Sequence, residues 1–131
     1  MNSIKVTVPV TVKAKLTEKL RARLVDEAVK VAEQMELELN QINIDMQREL
    51  EKNPQYEGQI RNYFSNEMAP RQARLDEAHR RKETFEKLAL GAEIIQGTAD
   101  RQVELKVGDN LREATNVEIL VEDDKIIAIR G

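Results

Sequence analysis

The sequence lacks cysteine and tryptophan altogether, and it contains one histidine, His79, and only two serines, Ser3 and Ser65. The absence of cysteine excludes disulfide bonds, thiolate metal ligands and a cysteine nucleophile. Nucleophilic catalysis of the Ser-His type needs three groups in hydrogen-bond contact, and this inventory hardly provides them. We therefore expect a protein that is not an enzyme, with no catalytic residues, no metal site, no cofactor and no small-molecule substrate.

Long apolar runs are also missing. Nowhere do about eighteen apolar residues follow one another, as a membrane-spanning helix requires. The first residues alternate Lys and Thr with Val and do not form the apolar segment of a signal peptide. We therefore expect a cytoplasmic protein with no membrane partner. Aromatic residues are 3% and charged residues 34% of the 131 residues, a composition that favours a solvent-exposed helical hairpin over a compact enzyme core.

The chain does contain a long apolar stripe with helical spacing between residues 20 and 50, uninterrupted by Gly or Pro. Thr17 and Glu18 precede it as an N-cap and a first-turn acid would, so the spacing predicts a helix that begins there and spans roughly 50 Å. A stripe of this length needs another helix to cover it. Its members are Leu20, Leu24, Ala28, Val31, Met35, Leu39, Ile42, Met46 and Leu50.

A second helix follows a predicted turn near residues 53–58, where Asn53-Pro54 and Gly58 break the helical pattern. Apolar residues at helical spacing continue from Ile60 to Leu88, and Gly91 suits a helix C-terminus. Pro70 lies inside this segment, so we expect either a kink or a restart after a break near residues 65–66. The stripe is weaker here, because Arg71 and Lys82 occupy positions where apolar residues are expected.

Both ends of the chain alternate apolar and polar residues with the period of a strand. Residues 4–12 predict a half-buried strand, in which Pro9 requires an edge or a bulge, and residues 103–129 predict three or four short strands. We expect an α+β protein in which a long antiparallel, coiled-coil-like helical hairpin projects from a small antiparallel β-sheet or barrel. The predicted domains are an N-terminal strand (1–16) joining the C-terminal sheet, the hairpin (17–90) and a small β domain (91–131).

Charge varies along the chain although the formal net charge is only −3. Residues 1–23 carry six basic and one acidic residue, and residues 26–51 carry two basic and eight acidic. Residues 59–90 carry seven basic and five acidic, and residues 91–131 carry five basic and nine acidic. The first and fourth segments have opposite net charges and attract each other, and so do the second and third. We interpret the pattern as intramolecular.

Three of the four aromatic residues, Tyr56, Tyr63 and Phe64, lie near the predicted turn. One interpretation is that they close the open end of the hairpin core. The other is that they form a partner-binding tip, because tyrosine is favoured at the centres of interfaces.

The basic residues Lys13, Lys15, Lys19, Arg21 and Arg23 are the best candidates for a polyanion contact, since each phosphate that they neutralise strengthens binding to nucleic acid. No aromatic residue lies among them to stack on a base. The alternative, which we favour, is that these residues pair with the acidic C-terminal segment.

The chain resembles the YlqD-like family of uncharacterised bacterial proteins. The resemblance implies the same helical hairpin on a β base and supplies no activity. It covers nearly the whole length and is carried by Pro9-Val10-Thr11-Val12-Lys13, Leu16-Thr17-Glu18, Leu90-Gly91-Ala92-Glu93, Gln96-Gly97-Thr98 and residues 103–110 and 119–130.

Together these observations predict a non-catalytic interaction, scaffold or assembly protein that presents its hairpin to a protein partner or to a second copy of itself. Val25, Val29, Leu37 and Ile44 lie beside the main stripe and favour a homo-oligomer, because one helix contact covers one stripe. The alternative is an RNA- or ribosome-associated module that uses the basic residues between 13 and 23.

Overall fold

The computed structural model describes every residue from Met1 to Gly131. The chain divides into two compact units, which we call the sheet unit (Met1–Leu20 and Leu88–Gly131) and the hairpin unit (Arg21–Lys87). The elements in chain order are β1 (Ser3–Lys15), α1 (Glu18–Lys52), a 3-10 turn (Pro54–Tyr56), α2 (Glu57–Lys87), β2 (Glu93–Lys106), α3 (Leu111–Thr115), β3 (Glu118–Glu122) and β4 (Lys125–Arg130). The predicted α+β class is confirmed.

The sheet unit contains one open, four-stranded sheet with the strand order β2-β1-β3-β4. β1 and β2 pair antiparallel along their whole lengths, and β3 and β4 form an antiparallel hairpin. β3 pairs with β1 in parallel over four residues, Thr11 to Ala14. The sheet is therefore mixed and open, neither wholly antiparallel nor a barrel. Strand alternation in the sequence specifies which side chains share a face, but it does not specify strand direction.

Pro9 lies in the part of β1 that has a neighbouring strand on one side only. It pairs with Asp100 of β2, whereas β3 begins to pair at Thr11. A proline has no amide hydrogen to donate, so this position along a free edge is one that it tolerates. The buried residues of the sheet unit are Val8, Val10 and Ala14 on β1, Val103 on β2, Leu120 on β3, Leu16 just before α1 and Leu20 in its first turn.

α1 begins as predicted. The Leu20 amide donates to Thr17 Oγ1 at 3.1 Å, which is the N-cap hydrogen bond, and Glu18 occupies the first turn. The Thr17 hydroxyl in turn donates to Asp123 Oδ1 at 2.7 Å. Asp123 and Asp124 form the two-residue β3–β4 turn, and both have positive φ, 46° and 69°. One threonine therefore caps the helix and bonds to a turn whose conformation is unfavourable for residues other than glycine.

The hairpin unit consists of α1 and α2 packed antiparallel. Arg21 Nε donates to the Phe85 carbonyl at 3.0 Å, and Arg71 Nε contacts Glu38 Oε1 at 3.2 Å. Residues later in α1 thus face residues earlier in α2. The core between the helices is a cluster of Ala32, Met35, Leu75 and Ala78, against which Val31 and Leu39 pack.

α2 is continuous from Glu57 to Lys87 with Pro70 inside it, so the restart expected near residues 65–66 is wrong. Pro70 cannot donate to the carbonyl of Asn66, but both residues are exposed, and water can bond to that carbonyl instead. Arg71 Nη1 donates to the Glu67 carbonyl at 2.7 Å in the same turn. Neither long helix is apolar enough over eighteen residues to cross a membrane.

Candidate functional site

The aromatic residues near the turn are exposed. Tyr56 lies in the 3-10 turn and is 53% exposed, and Tyr63 lies in α2 and is 60% exposed. The Tyr63 and Phe64 rings meet edge to face, with centroids 5.1 Å apart and planes at 87°. We call Tyr56, Tyr63 and Phe64 the aromatic tip. Nothing in the chain hydrogen-bonds to either phenol group, so both remain available to a partner.

The core at this end of the hairpin forms without the two tyrosines. Ile60 and Met46 are the buried apolar residues nearest the turn. Phe64, four residues after Ile60, is half-buried. Ile60 and Phe64 are four residues apart and share a face of α2, whereas Tyr63 is displaced from that face by about 100°. Exposure of the tyrosines is therefore not a by-product of closing the core.

The five basic candidates divide between the two units. In the sheet unit, Lys13 Nζ lies 2.7 Å from Glu118 Oε1, whereas Lys15 and Lys19 make no salt bridge. In the hairpin unit, Arg21 donates to the Phe85 carbonyl, in the last turn of α2, and Arg23 Nε lies 3.9 Å from Glu27 Oε1. Of these five side chains, only Lys13 pairs with the acidic C-terminal segment, whereas Arg21 and Arg23 have their contacts within the hairpin unit.

Lys13 belongs to a chain of ion pairs that links all four strands. Glu118 on β3 contacts Lys13 on β1 and also Arg130 on β4, at 3.2 Å, and Arg130 contacts Glu93 on β2. We call these four residues the ion network. The hydrogen bond from Arg130 lowers the pKa of Glu93, and the same bond raises the pKa of Arg130. Its two acids and two bases pair with one another, so we interpret the network as a structural element.

The sequence did not identify the ion network as a site. Glu93 and Arg130 are 37 residues apart, and nothing local connects them. The one indication in the sequence was the opposite net charge of the first and fourth segments, and Lys13 and Glu118 form a salt bridge between these segments. Glu93, Lys13 and Arg130 also lie in the segments that carry the family resemblance.

A groove of about 430 Å³ runs between α1 and α2. Its floor is apolar, and its rims carry both signs of charge. Several of the facing side chains are alanines, which leave space between the helices. We call it the hairpin groove; its lining residues are Leu24, Glu27, Ala28, Val31, Ala73, Arg74, Glu77, Ala78 and Arg81.

The residues with catalytic or metal-binding chemistry do not meet. His79 is exposed on α2 and makes no hydrogen bond with Ser65 or Ser3. No three His, Cys, Asp or Glu side chains come close enough together to hold a metal ion. Three of the nine exposed large apolar residues of the sheet unit lie on its edge strand β4, where Ile126, Ile127 and Ile129 are 61%, 46% and 70% exposed.

Comparison with known proteins gives a family and a fold. The family described as YlqD protein matches residues 4–130. No curated protein matches the chain. The crystal structure of a protein of unknown function from Synechococcus sp. WH 8102 is similar, with a TM-score of 0.83 and 19% sequence identity, and the match covers 98% of this chain and 95% of that one. At this identity the similarity establishes the fold alone.

Proposed function

This chain belongs to the YlqD protein family, and we propose that it is a non-catalytic, cytoplasmic interaction protein whose helical hairpin binds a protein partner through the aromatic tip. The observation that carries the proposal is the exposure of Tyr56 and Tyr63 beside a core that Ile60 already closes. Tyrosine supplies a large apolar surface and a hydroxyl with little loss of conformational entropy, which is why it is enriched in interface hot spots.

The tip also has the rigidity that binding favours. Tyr63 and Phe64 lie on a continuous helix, and their edge-to-face contact restricts both rings before a partner arrives. A side chain that is already ordered loses less freedom on binding than a mobile one. The 3-10 turn places Tyr56 one residue before α2, and Pro54 restricts the backbone of this turn.

Nucleic acid is the less favoured partner. Lys13, Arg21 and Arg23 already interact within the chain. Lys15 and Lys19 remain without a salt bridge, and two cations neutralise too few phosphates for strong binding. A filter-binding titration provides a direct check: retention of RNA at about 50 mM salt, lost as salt rises, would favour the nucleic-acid alternative.

The proposal is tested by capturing partners from the native cell with the tagged full chain and quantifying them by mass spectrometry. We expect Tyr63→Ser to reduce the specific partner at least tenfold, and Tyr63→Ser combined with Phe64→Ser to abolish it. Serine has nearly the helix propensity of tyrosine and phenylalanine, so helicity by circular dichroism should remain near normal.

The matched control is His79→Ser combined with Thr84→Ser, because both residues are exposed on α2 and have no hydrogen-bond partner in the chain. This variant should capture the partner as well as the natural sequence does. Equal capture by the tip variants would refute the proposal, as would a partner that is released from all variants by nuclease.

A further inference from the structure

The hairpin groove combines an apolar floor with cations that have no ion-pair partner. Leu24, Ala28 and Ala78 form part of the floor and are buried, yet the groove above them is empty of protein. Arg74 and Arg81 line the rim on α2, and neither makes a salt bridge within the chain. Arg81 lies over the Phe85 ring, 5.3 Å from its centroid, which holds the guanidinium at the rim.

The opposite rim, on α1, carries an acid at the same level. Arg21 contacts Phe85 and Glu38 contacts Arg71, so residue numbers fall along α2 as they rise along α1. Glu27 lies between Arg21 and Glu38 on α1, and the position opposite it on α2 is close to Arg81. Its one contact, with Arg23, is long at 3.9 Å and exposed, and such pairs contribute little.

Two-fold symmetry allows two ways of placing a second hairpin face to face on this groove. If the axis runs along the hairpin, the copies are parallel, and α1 of each lies against α2 of the other. Glu27 of each copy then meets Arg81 of the other, so the pairing forms twice. If the axis runs across the hairpin at the level of the groove, α1 lies against α1 and α2 against α2, so Glu27 meets Glu27 and Arg81 meets Arg81 of the other copy. Charge complementarity selects the parallel arrangement.

We propose that the hairpin groove is the interface of a parallel, two-fold dimer, in which two hairpins form a four-helix bundle with every neighbouring pair of helices antiparallel. The alanines of the groove allow close approach of the partner helices. A helix of 31 residues is about 46 Å long. The groove itself spans about 12 Å of that length, at residues 24–31 and 73–81. Contact continued along both helices buries about 800 Å² per copy, the area of a standard stable interface.

The interface is separate from the aromatic tip, so the two proposals fail independently. The Tyr63→Ser and Phe64→Ser double variant should remain a dimer. A variant that no longer dimerises should still capture the partner through the aromatic tip. Loss of partner capture with an unchanged mass would concern the tip alone, and loss of the dimer with unchanged capture would concern the groove alone.

The first experiment measures mass by light scattering and sedimentation at 1 to 100 μM, on the order of expected interface affinities. The natural chain should reach about 30 kDa, twice its 15.0 kDa. Glu27→Arg and Arg81→Glu should each weaken dimerisation at least tenfold by placing like charges together. The combined variant should return to within about threefold of the natural affinity, because it restores the pairing with its signs exchanged. Glu33→Arg, the same charge change at an exposed position of α1 outside the groove, should have little effect.

The second experiment measures orientation. The chain contains no cysteine, so Gln55→Cys introduces a single spin-label site in the turn at the end of the hairpin. This residue lies about 40 Å along the hairpin from the level of Glu27. A parallel dimer places the two labels within about 35 Å of each other, and a crossed, antiparallel one places them about 80 Å apart.

A clean monomer at 100 μM, single charge reversals without effect, failure of the combined variant to restore dimerisation, or the longer label distance would each overturn the proposal. Circular dichroism of every variant verifies that the helices are intact. Glu27 and Arg81 are both exposed, and the same measurement reveals whether loss of the Arg81 contact with the buried Phe85 ring disturbs the helices.

Discussion

The two units of the molecule use their charged residues differently. In the sheet unit, the ion network neutralises two acids and two bases across four strands. In the hairpin unit, most salt bridges join residues three or four apart on one helix, and Arg74 and Arg81 have none. A group that is already paired has little to offer a ligand, and for this reason both of the proposed interaction surfaces lie on the hairpin.

The units also differ in what holds them together. The sheet unit has a backbone ladder that joins thirteen residue pairs between β1 and β2. The hairpin unit depends on one narrow seam, in which two of the four clustered residues are alanines. Small side chains bury little apolar surface. The hairpin is therefore expected to be the more sensitive of the two units to single core substitutions.

The largest effect is expected from Leu75→Ala. Leu75 is one of the two large side chains in the buried cluster of the hairpin, and its truncation should lower the free energy of unfolding by about 2 to 5 kcal/mol. Urea unfolding followed by circular dichroism measures the loss. Leu37→Ala is the control, since Leu37 is 65% exposed on α1, and it should change stability by less than about 0.5 kcal/mol. Equal losses in the two variants would contradict the role given to the seam.

The next effect has the opposite sign. Pro70 lies inside α2, where proline is about 3 kcal/mol less favourable than alanine. Pro70→Ala should therefore raise the stability of the hairpin, by about 1 to 3 kcal/mol, in thermal or urea unfolding. Pro54→Ala is the matched control, because Pro54 begins the 3-10 turn, a position that suits proline. A loss of stability in Pro70→Ala would mean that a kink at this proline is needed for the packing of α2 on α1.

Signals within a few residues of the sequence were sufficient to predict the start of α1, the turn after it and the alternating pattern of β1. Thr17 caps α1, and Asn53 leaves the helical conformation before Pro54. The stripe of α1 supplies four of the nine buried residues of the hairpin unit. Each of these outcomes depends on residues within one or two turns of each other. The same holds for the alternation of Val8 and Val10, which predicted a half-buried strand.

Several features that depend on contacts distant in sequence were not predicted. The direction of β3 beside β1 follows from the path of the chain through β2 and α3, which side-chain alternation does not encode. The contact of Arg130 with Glu93 depends on the same path. The hairpin groove depends on which alanines of the two helices face each other. The sequence also left open whether Tyr63 is buried in the hairpin core, and in the structure it is 60% exposed, whereas Ile60 is buried.

A smaller effect is expected from the N-cap of α1. Thr17→Ala removes the oxygen that accepts from the Leu20 amide and donates to Asp123, and should cost about 1 kcal/mol in urea unfolding. Thr17→Ser keeps both hydrogen bonds and is expected to retain most of the stability. If serine and alanine were equally destabilising, the methyl group of Thr17, and not its hydroxyl, would be the stabilising contact.

The smallest effect is a pH dependence of stability, which we expect from the ion network of the sheet unit. Because Arg130 lowers the pKa of Glu93 in the folded chain, the pairing stabilises the sheet unit fully above the ordinary glutamate pKa, about 4.3. This contribution is lost as the pH falls through the lowered value. The urea midpoint of Arg130→Gln should accordingly approach that of the natural chain between about pH 5 and pH 3. Lys125→Gln, which removes a cation without a salt bridge from the same strand, should leave the pH dependence unchanged. A constant difference between Arg130→Gln and the natural chain over this range would indicate that Arg130 stabilises β4 through packing, not through its charge.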